Sequence, residues 1–277
     1  MHIMASNINN IRDNSNVGVE RSFPVDQQDA MGQLTADELA PYAAAPAPQK
    51  NDLTEIRDRV RHQLDEDFDD KLGGWGDELK EIDFSGNLVH LAYRAHAETD
   101  KKSEQRFLKT ACAMLDRLDP VWGGFYAAGI DGWKSPIPEK RTGAQATALE
   151  VFSYAYHLNK DKRFLNAAKE IDRYLRDWML DSNGTFYTSQ KDMPVTLPKD
   201  WTPQRYFDLN TDAKRKKYGV PPIDHAVYTD LNARVIIAYT KLFEATGDAT
   251  YLQLAEKTAT TLIRERQQKD GWILHST

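Results

Sequence analysis

One helix pattern occurs three times in this chain, and each copy runs into a turn made of glycine and an aromatic residue. The copies are Phe107, Leu108, Ala111 and Leu118; Phe164, Leu165, Ala168 and Leu175; and Tyr251, Leu252, Ala255 and Leu262. Their turns are Gly123-Gly124-Phe125-Tyr126, Gly184-Thr185-Phe186-Tyr187 and Gly271-Trp272, and a fourth lies ahead of them at Gly73-Gly74-Trp75-Gly76. A repeat of this length is one supersecondary unit stacked on itself, because a single unit cannot bury its apolar face alone.

Between these helices run others with a different pattern. Phe84–Ala97, Thr142–Leu158 and Val227–Ala245 carry apolar residues on most faces, whereas Ser103–Leu118, Lys162–Leu180 and Ala249–Gln267 are amphipathic. A helix apolar all round must be buried all round, and an amphipathic one faces solvent on one side. Each pair therefore supplies an inner and an outer helix. The turns Asn159-Lys160-Asp161 and Thr246-Gly247-Asp248 carry Asn or Gly for the C-cap and Asp for the N-cap. Such short connections make antiparallel hairpins, and ordered hairpins in two layers form an open superhelix or a closed toroid. An earlier helix begins near Leu53, with Ile56, Val60 and Leu64 at helical spacing.

The copies advance by 57 residues from Phe107 to Phe164, but by 87 from Phe164 to Tyr251. The extra length falls in Asp192–Pro222, a loop with five prolines, and loops that long are usually functional or mobile. Residues 1–50 are polar and then Ala/Pro-rich, and read as a disordered or linker arm.

A net charge of -6 and a pI near 5.7 argue against nucleic acid as a partner. The basic run Lys214-Arg215-Lys216-Lys217 is short and reads as a solvated loop. No apolar run approaches the roughly 20 residues of a membrane span, and the first 30 residues lack the apolar stretch of a secretory signal. The cytoplasm is the favoured compartment on that basis, with no membrane partner. Cys112, the sole cysteine, excludes an internal disulfide and reads as an inert core thiol. No metal-ligand spacing, phosphate loop or nucleophile elbow occurs, so neither a metal nor a cofactor is expected.

Four blocks carry a resemblance to a family. They are Phe68-Asp69 with Gly73-Gly74-Trp75-Gly76 and Lys80; Asp119 to Tyr126 with Asp131, Trp133, Pro136 and Glu139-Lys140; Gly184 to Asp192; and Asp224 with Tyr228-Thr229-Asp230 and Asn232-Ala233. In this order they resemble the thioredoxin-domain-containing, spermatogenesis-associated protein family. That resemblance implies a thioredoxin-like domain followed by an all-α (α/α) toroid, related to six-hairpin glycosidases and N-acylglucosamine 2-epimerases. The chain departs from it. It has no thioredoxin-like part, and residues 51–277 supply only about three hairpins and a leading helix, a partial toroid. The family's His-Phe-Glu-Lys-Met-Leu-Tyr-Asp-Asn block reads Ile137 to Gln145, with its His and Asp replaced, and Leu231 and Ala226 stand where the family has Trp and Lys. Half a ring leaves inner helices uncovered, so a second copy or a second chain completing the toroid is the expected partner unless the remainder lies outside this sequence.

In such rings the site lies at the mouth, where loops enter the inner helices. Those loops carry Trp122, Trp133, Glu139, Asp224, His225, Tyr228 and Asp230. Aromatic faces bind sugar rings and carboxylates bind hydroxyls, so a carbohydrate is the expected ligand. Glycoside hydrolysis needs two carboxylates, about 5–5.5 Å apart for retention and about 6.5–9.5 Å for inversion. Glu139 with Asp224 or Asp230 forms the candidate catalytic set, and Trp122, Trp133, His225, Tyr228 and Asn232 form the substrate-binding set. The competing reading gives the aspartates helix-holding roles at Val227 and gives Glu139 an ion pair with a loop arginine. Epimerisation would need bases beside the sugar carbon, and His225 is the histidine in a mouth loop. A non-catalytic binding or scaffold module is the alternative to an enzyme.

Overall fold

The computed structural model describes residues 50–76, 79–81, 86–130 and 132–276. The arm expected over residues 1–50 lies, but for Lys50, outside the described residues. The chain divides into two units, residues 1–58 and 59–277. Of the first, the described part is the opening of helix α1 (Lys50–Glu66), whose Leu53 and Ile56 are exposed. The second holds three helical hairpins: α2 (Gly86–Ala97) with α3 (Lys101–Met114), α4 (Thr142–Asn159) with α5 (Lys162–Tyr174), and α8 (Thr229–Thr246) with α9 (Ala249–Arg266). The short helices α6 (Pro203–Phe207) and α7 (Asp212–Lys216) fall between the last two hairpins. The fold is all-α, a partial (α/α) hairpin toroid.

The hairpin bends share one chemistry. Asp100, Asp161 and Asp248 are the N-caps of α3, α5 and α9, and each carboxylate accepts a first-turn backbone N–H. The residue before each turns left-handed: Thr99, Lys160 and Gly247 have φ of 54°, 58° and 76°. Sequence spacing placed the second C-cap on Asn159. The N-cap aspartate sets the register instead, and Lys160 takes the left-handed position at a cost of about 1–2 kcal/mol.

Inner helix α4 is buried on nearly all sides, with Ala144, Leu149, Val151, Phe152 and Ala155 fully enclosed. Its core partners include Phe107 and Ala111 of α3, Phe164 and Ala168 of α5, and Val235 and Tyr239 of α8. Helix α8 departs from its all-round apolar pattern: Ile237 is 49% exposed. Cys112 also departs from its core reading and is exposed on α3.

Where outer helices lead to inner ones, two small antiparallel sheets form. One orders β1 (Lys80–Glu81), β2 (Ala128–Ile130) and β3 (Ser135–Ile137); the other orders β4 (Lys140–Arg141), β5 (Ser189–Gln190) and β6 (Ile223–Asp224). The glycine turns precede them. Leu118 bridges Phe125, Leu180 bridges Phe186, and Gln267 bridges Ile273. Gly123 and Gly124 sit at φ +73° and +78°, and a Cβ on Gly124 would lie 2.6 Å from the Tyr174 ring, so the second turn demands glycine for both torsion and space.

The turns at Gly123 and Gly184 are each clamped by an inner helix. The Gln145 amide accepts from Phe125 N at 2.7 Å and donates to Phe125 O at 2.6 Å. Asn232 does the same for Phe186, at 2.7 and 3.0 Å. Both amides are the fourth residue of their helix. The first residues, Thr142 and Thr229, donate through Oγ1 to Tyr187 O and Leu274 O of the turn that comes next. Each inner helix thus ties the turn behind it to the turn ahead.

Candidate functional site

The sheet β4–β5–β6 and the start of α8 bring several of the sequence-predicted residues to one place. Register pairs Arg141 with Ser189 and Ser189 with Asp224, so these three form a row on one sheet face, with the central Ser189 buried. Glu139, two residues before Arg141, shares that side: its Oε2 lies 3.7 Å from Arg141 Nε, and both side chains are about one-third exposed (33% and 34%). The opposite row, Lys140, Gln190 and Ile223, turns inward, with Lys140 and Gln190 buried. Asp224 is exposed, and its Oδ1 accepts from Ala226 N at 3.0 Å.

Two aromatic–histidine stacks flank the row. His225 lies 4.3 Å from the Tyr187 ring at 21° between planes. Tyr228, the N-cap residue of α8, stacks at 5.0 Å on His275, whose Nδ1 is 3.5 Å from Asp230 Oδ1. Tyr187 and His275 were not among the sequence candidates. Their signal was the repeat itself, since both follow glycine turns.

Three other candidates sit elsewhere. Trp122 is 3% exposed: the 192–222 insertion lays Tyr206 and Phe207 against it, and its Nε1 donates to Asp212 Oδ1 at 2.8 Å. Trp133 is 5% exposed and fills the space beside the first glycine turn, donating to Gly73 O at 3.3 Å, with the Arg117 guanidinium 4.4 Å over its ring. Asn232 is buried as the clamp on Phe186. None of the three presents a face to a ligand, because each is consumed in packing or in backbone hydrogen bonds.

Spacing gave no hint of the most buried charges. Asp119 Oδ2 sits 2.6 Å from Lys140 Nζ and 2.7 Å from Arg215 Nη1, with all three side chains 0% exposed. Arg215 also donates to Leu209 O and Phe207 O, so the insertion is bolted to the second glycine turn. The basic run read as solvated is therefore split, with Arg215 inside and Lys214, Lys216 and Lys217 outside. Burial acts to raise the Asp119 carboxyl, but the two cations outweigh it and hold it below the usual range. One carboxylate faces two cations, and the lysine yields: burial lowers Lys140 to about 8, opposed by Asp119 and reinforced by Arg215. All three side chains are enclosed, and they tie the insertion to the second glycine turn and to β4.

Glu150 was also missed, although a lone carboxyl in an otherwise apolar stretch of α4 was a signal. Burial raises its pKa, opposed by Lys241 and Arg234 of α8. Further along, at the C-terminal ends of the inner helices, a cavity of about 210 Å³ is lined by His96, Tyr154, His157, Lys241 and Glu244, among others. Among the described residues, no three His, Cys, Asp or Glu side chains stand together to hold a metal ion. No helix among them is long and apolar enough to cross a membrane.

No protein-family model matches the chain. Human spermatogenesis-associated protein 20 is 26% identical over 141 residues, which is 49% of this chain and 18% of that protein. The chain thus spans under a fifth of the length of the curated relatives it matches. Among solved structures, a D-mannose isomerase superposes with a TM-score of 0.61 at 12% identity, over 84% of this chain and 58% of the isomerase. An α-mannanase of glycoside hydrolase family 76 from Bacteroides thetaiotaomicron gives 0.59 at 15% identity, over 80% and 58%. An inactive α-1,6-mannanase of that family from Salegentibacter, with two adjacent aspartates replaced by asparagine and α-1,6-mannotriose bound, gives 0.54 at 17% identity, over 82% and 56%. The fold is that of the six-hairpin toroids, and the sequence is similar to the spermatogenesis-associated family.

Proposed function

We propose that this chain is a carbohydrate-recognising toroid domain that binds a sugar on the β4–β5–β6 face and acts as a binding module. The observation that carries the reading is the set Glu139, Arg141 and Asp224 on one sheet face, with the Tyr187–His225 and Tyr228–His275 stacks beside it. Such a surface pairs hydroxyl-binding carboxylates and a guanidinium with ring faces that suit the apolar side of a pyranose. The mannose-handling neighbours make a mannoside the first ligand to try.

Binding is favoured over hydrolysis by what the carboxylates do. The Salegentibacter mannanase is inactive without its two adjacent aspartates. The single such pair in this sequence is Asp69-Asp70. Asp69 accepts from Leu72 N at 2.8 Å and Lys80 Nζ at 3.0 Å, and Asp70 takes a two-pronged ion pair from Arg106 at 3.0 and 2.8 Å. Asp69 is spent on its turn, and Asp70, 70% exposed, is engaged by Arg106.

A hydrolase is the second reading. Asp224 lies two strand spacings from Arg141, and Glu139 is two residues further along, so the two carboxylate residues are roughly 12 Å apart at the backbone.

The test is titration of α-1,6-mannotriose into the protein, followed by NMR, with Glu139→Gln and Asp224→Asn as controls. Saturable shifts that both variants weaken severalfold support the module, provided no product forms. Release of mannose, or conversion of mannose to fructose, abolished by either variant, would replace the module with an enzyme. No binding by any species would remove the carbohydrate reading.

A further inference from the structure

The start of the 192–222 insertion frames a groove at the border of the β4–β5–β6 face. Continuing the β4–β5 register one step past Lys140 and Gln190 sets Lys191 opposite Glu139. The same step between β5 and β6 sets Pro222 opposite Lys191, and Lys191 N donates to Pro222 O at 2.9 Å. Glu139, Lys191 and Pro222 therefore form a second row beside Arg141, Ser189 and Asp224, two residues or roughly 7 Å along the strands. Lys191 and Pro222 are exposed, and both line a groove of about 360 Å³. The groove begins where the sheet face ends.

Its lining is apolar. Met193, Pro194, Val195, Leu197 and Trp201 form it together with Pro222. Val195 is 87% exposed and Met193 36%, while Leu197 and Trp201 are half-buried. Leu197 and Trp201 also pack on the cluster of Trp122, Tyr206 and Phe207, and Thr196 Oγ1 donates to Tyr218 O at 3.1 Å, so the groove wall is anchored to the folded insertion. The charged groups at the groove are Lys191, Asp192 and Lys199, and among the described residues no hydroxyl or amide side chain lines it. The Trp201 ring is already engaged, by the Tyr218 ring at 4.5 Å and by the Arg205 guanidinium 4.6 Å over it. A second sugar ring would therefore find few hydroxyl partners here.

Resting on the carbohydrate reading of the sheet face, we infer that the groove takes an apolar aglycone. The ligand is then an amphipathic glycoside, with its sugar on the β4–β5–β6 face and its apolar tail among Met193, Val195 and Trp201. Three features select this occupant. The groove is continuous with the sheet face through the row Glu139, Lys191 and Pro222, so a tail leaving a sugar held there enters it directly. Its volume falls within the range of small-molecule sites, about 300–1,000 Å³. Its side chains reward burial of hydrocarbon rather than of hydroxyls, and each methylene removed from water tightens binding by up to about fourfold.

The test compares methyl α-mannoside with hexyl α-mannoside on the full chain, by calorimetry and by the Met193 and Val195 methyl signals in NMR. The hexyl glycoside should bind about tenfold tighter or more, and it alone should shift those methyl signals. Val195→Asp puts a charge in the groove at an exposed position that the fold does not depend on, and should cut the hexyl advantage to about threefold or less. Glu139→Gln, on the sheet face, should weaken both glycosides by a similar factor and keep their ratio. Equal affinity for the two glycosides, or a hexyl advantage that Val195→Asp leaves intact, overturns the aglycone site and leaves the carbohydrate reading standing. Hexanol shifting the methyl signals as strongly as hexyl mannoside at the same concentration shows a groove that works without the sugar, and overturns it too. No binding of either glycoside removes the carbohydrate reading and the aglycone site together.

Discussion

The first and second glycine turns begin alike and end differently. In each, an aspartate opens the turn, its N–H donates to the second glycine's carbonyl, and a lysine from the following strand binds the carboxylate: Lys80 with Asp69 at 3.0 Å, Lys140 with Asp119 at 2.6 Å. Asp69 keeps 24% of its side chain exposed, whereas Asp119 keeps none, because the 192–222 insertion drives Arg215 onto it. One local motif is thus a half-wet ion pair in one repeat and a dry three-charge knot in the next. Context, supplied from 96 residues away, sets the energetics of a motif that spacing alone would call equivalent.

The largest effect should come from breaking the dry knot. Arg215→Ala frees the insertion and leaves Asp119 with one cation, and should cost about 3–5 kcal/mol in urea unfolding. Lys80→Met, which removes the half-wet pair and the lysine's hydrogen bond to Gly76 O, should cost about 1–2 kcal/mol because water reaches Asp69. Equal losses would show that burial does not separate the two turns.

A middle-sized effect concerns the clamps. Gln145→Ala and Asn232→Ala each strand a buried backbone N–H and C=O and should each cost about 2–3 kcal/mol. The same pair distinguishes clamp from ligand contact, since Asn232→Ala should lower stability without a specific loss of sugar affinity.

The pH dependence sharpens the comparison further. Lys140 sits at about 8 in the folded protein against an ordinary 10.5. Between these values the unfolded chain binds more protons, so stability should rise with pH from 8 to 10.5, and Lys140→Met should abolish that rise. For Asp119 the slope has the same sign in a lower window, but the charged form is the stabilised one. Its carboxyl is held below 3.8, so its contribution is present above that value and is lost as the solution is acidified through the folded pKa. The smallest effect belongs to the exposed Asp224→Asn, within about 0.5 kcal/mol of wild type in stability.

The helical repeat was legible because its signals are local. Apolar period, N-cap aspartates and turn glycines act within a few residues, and α4, α5, α8 and α9 fall within a few residues of where their patterns place them. The site was legible only in part. Glu139 and Asp224 share a sheet face, as mouth loops would allow. Trp122 and Asn232 do not serve there, because their partners lie 90 and 46 residues away and no local pattern encodes such contacts. Arg215 is the sharpest case: in the sequence it is one of four consecutive cations, and only the tertiary position of Asp119 distinguishes it from its neighbours.

Cys112 sits exposed on outer helix α3, its Sγ 4.0 Å from Arg163 Nη2, and the chain has no other thiol. Alkylating reagents therefore have a single destination, and a dye placed there reports from an outer helix without disturbing the sheet face. The same thiol joins two molecules through one symmetric covalent link when air oxidises the sample. Mass measurements made with and without reductant thus separate a chemical pair from a folded assembly.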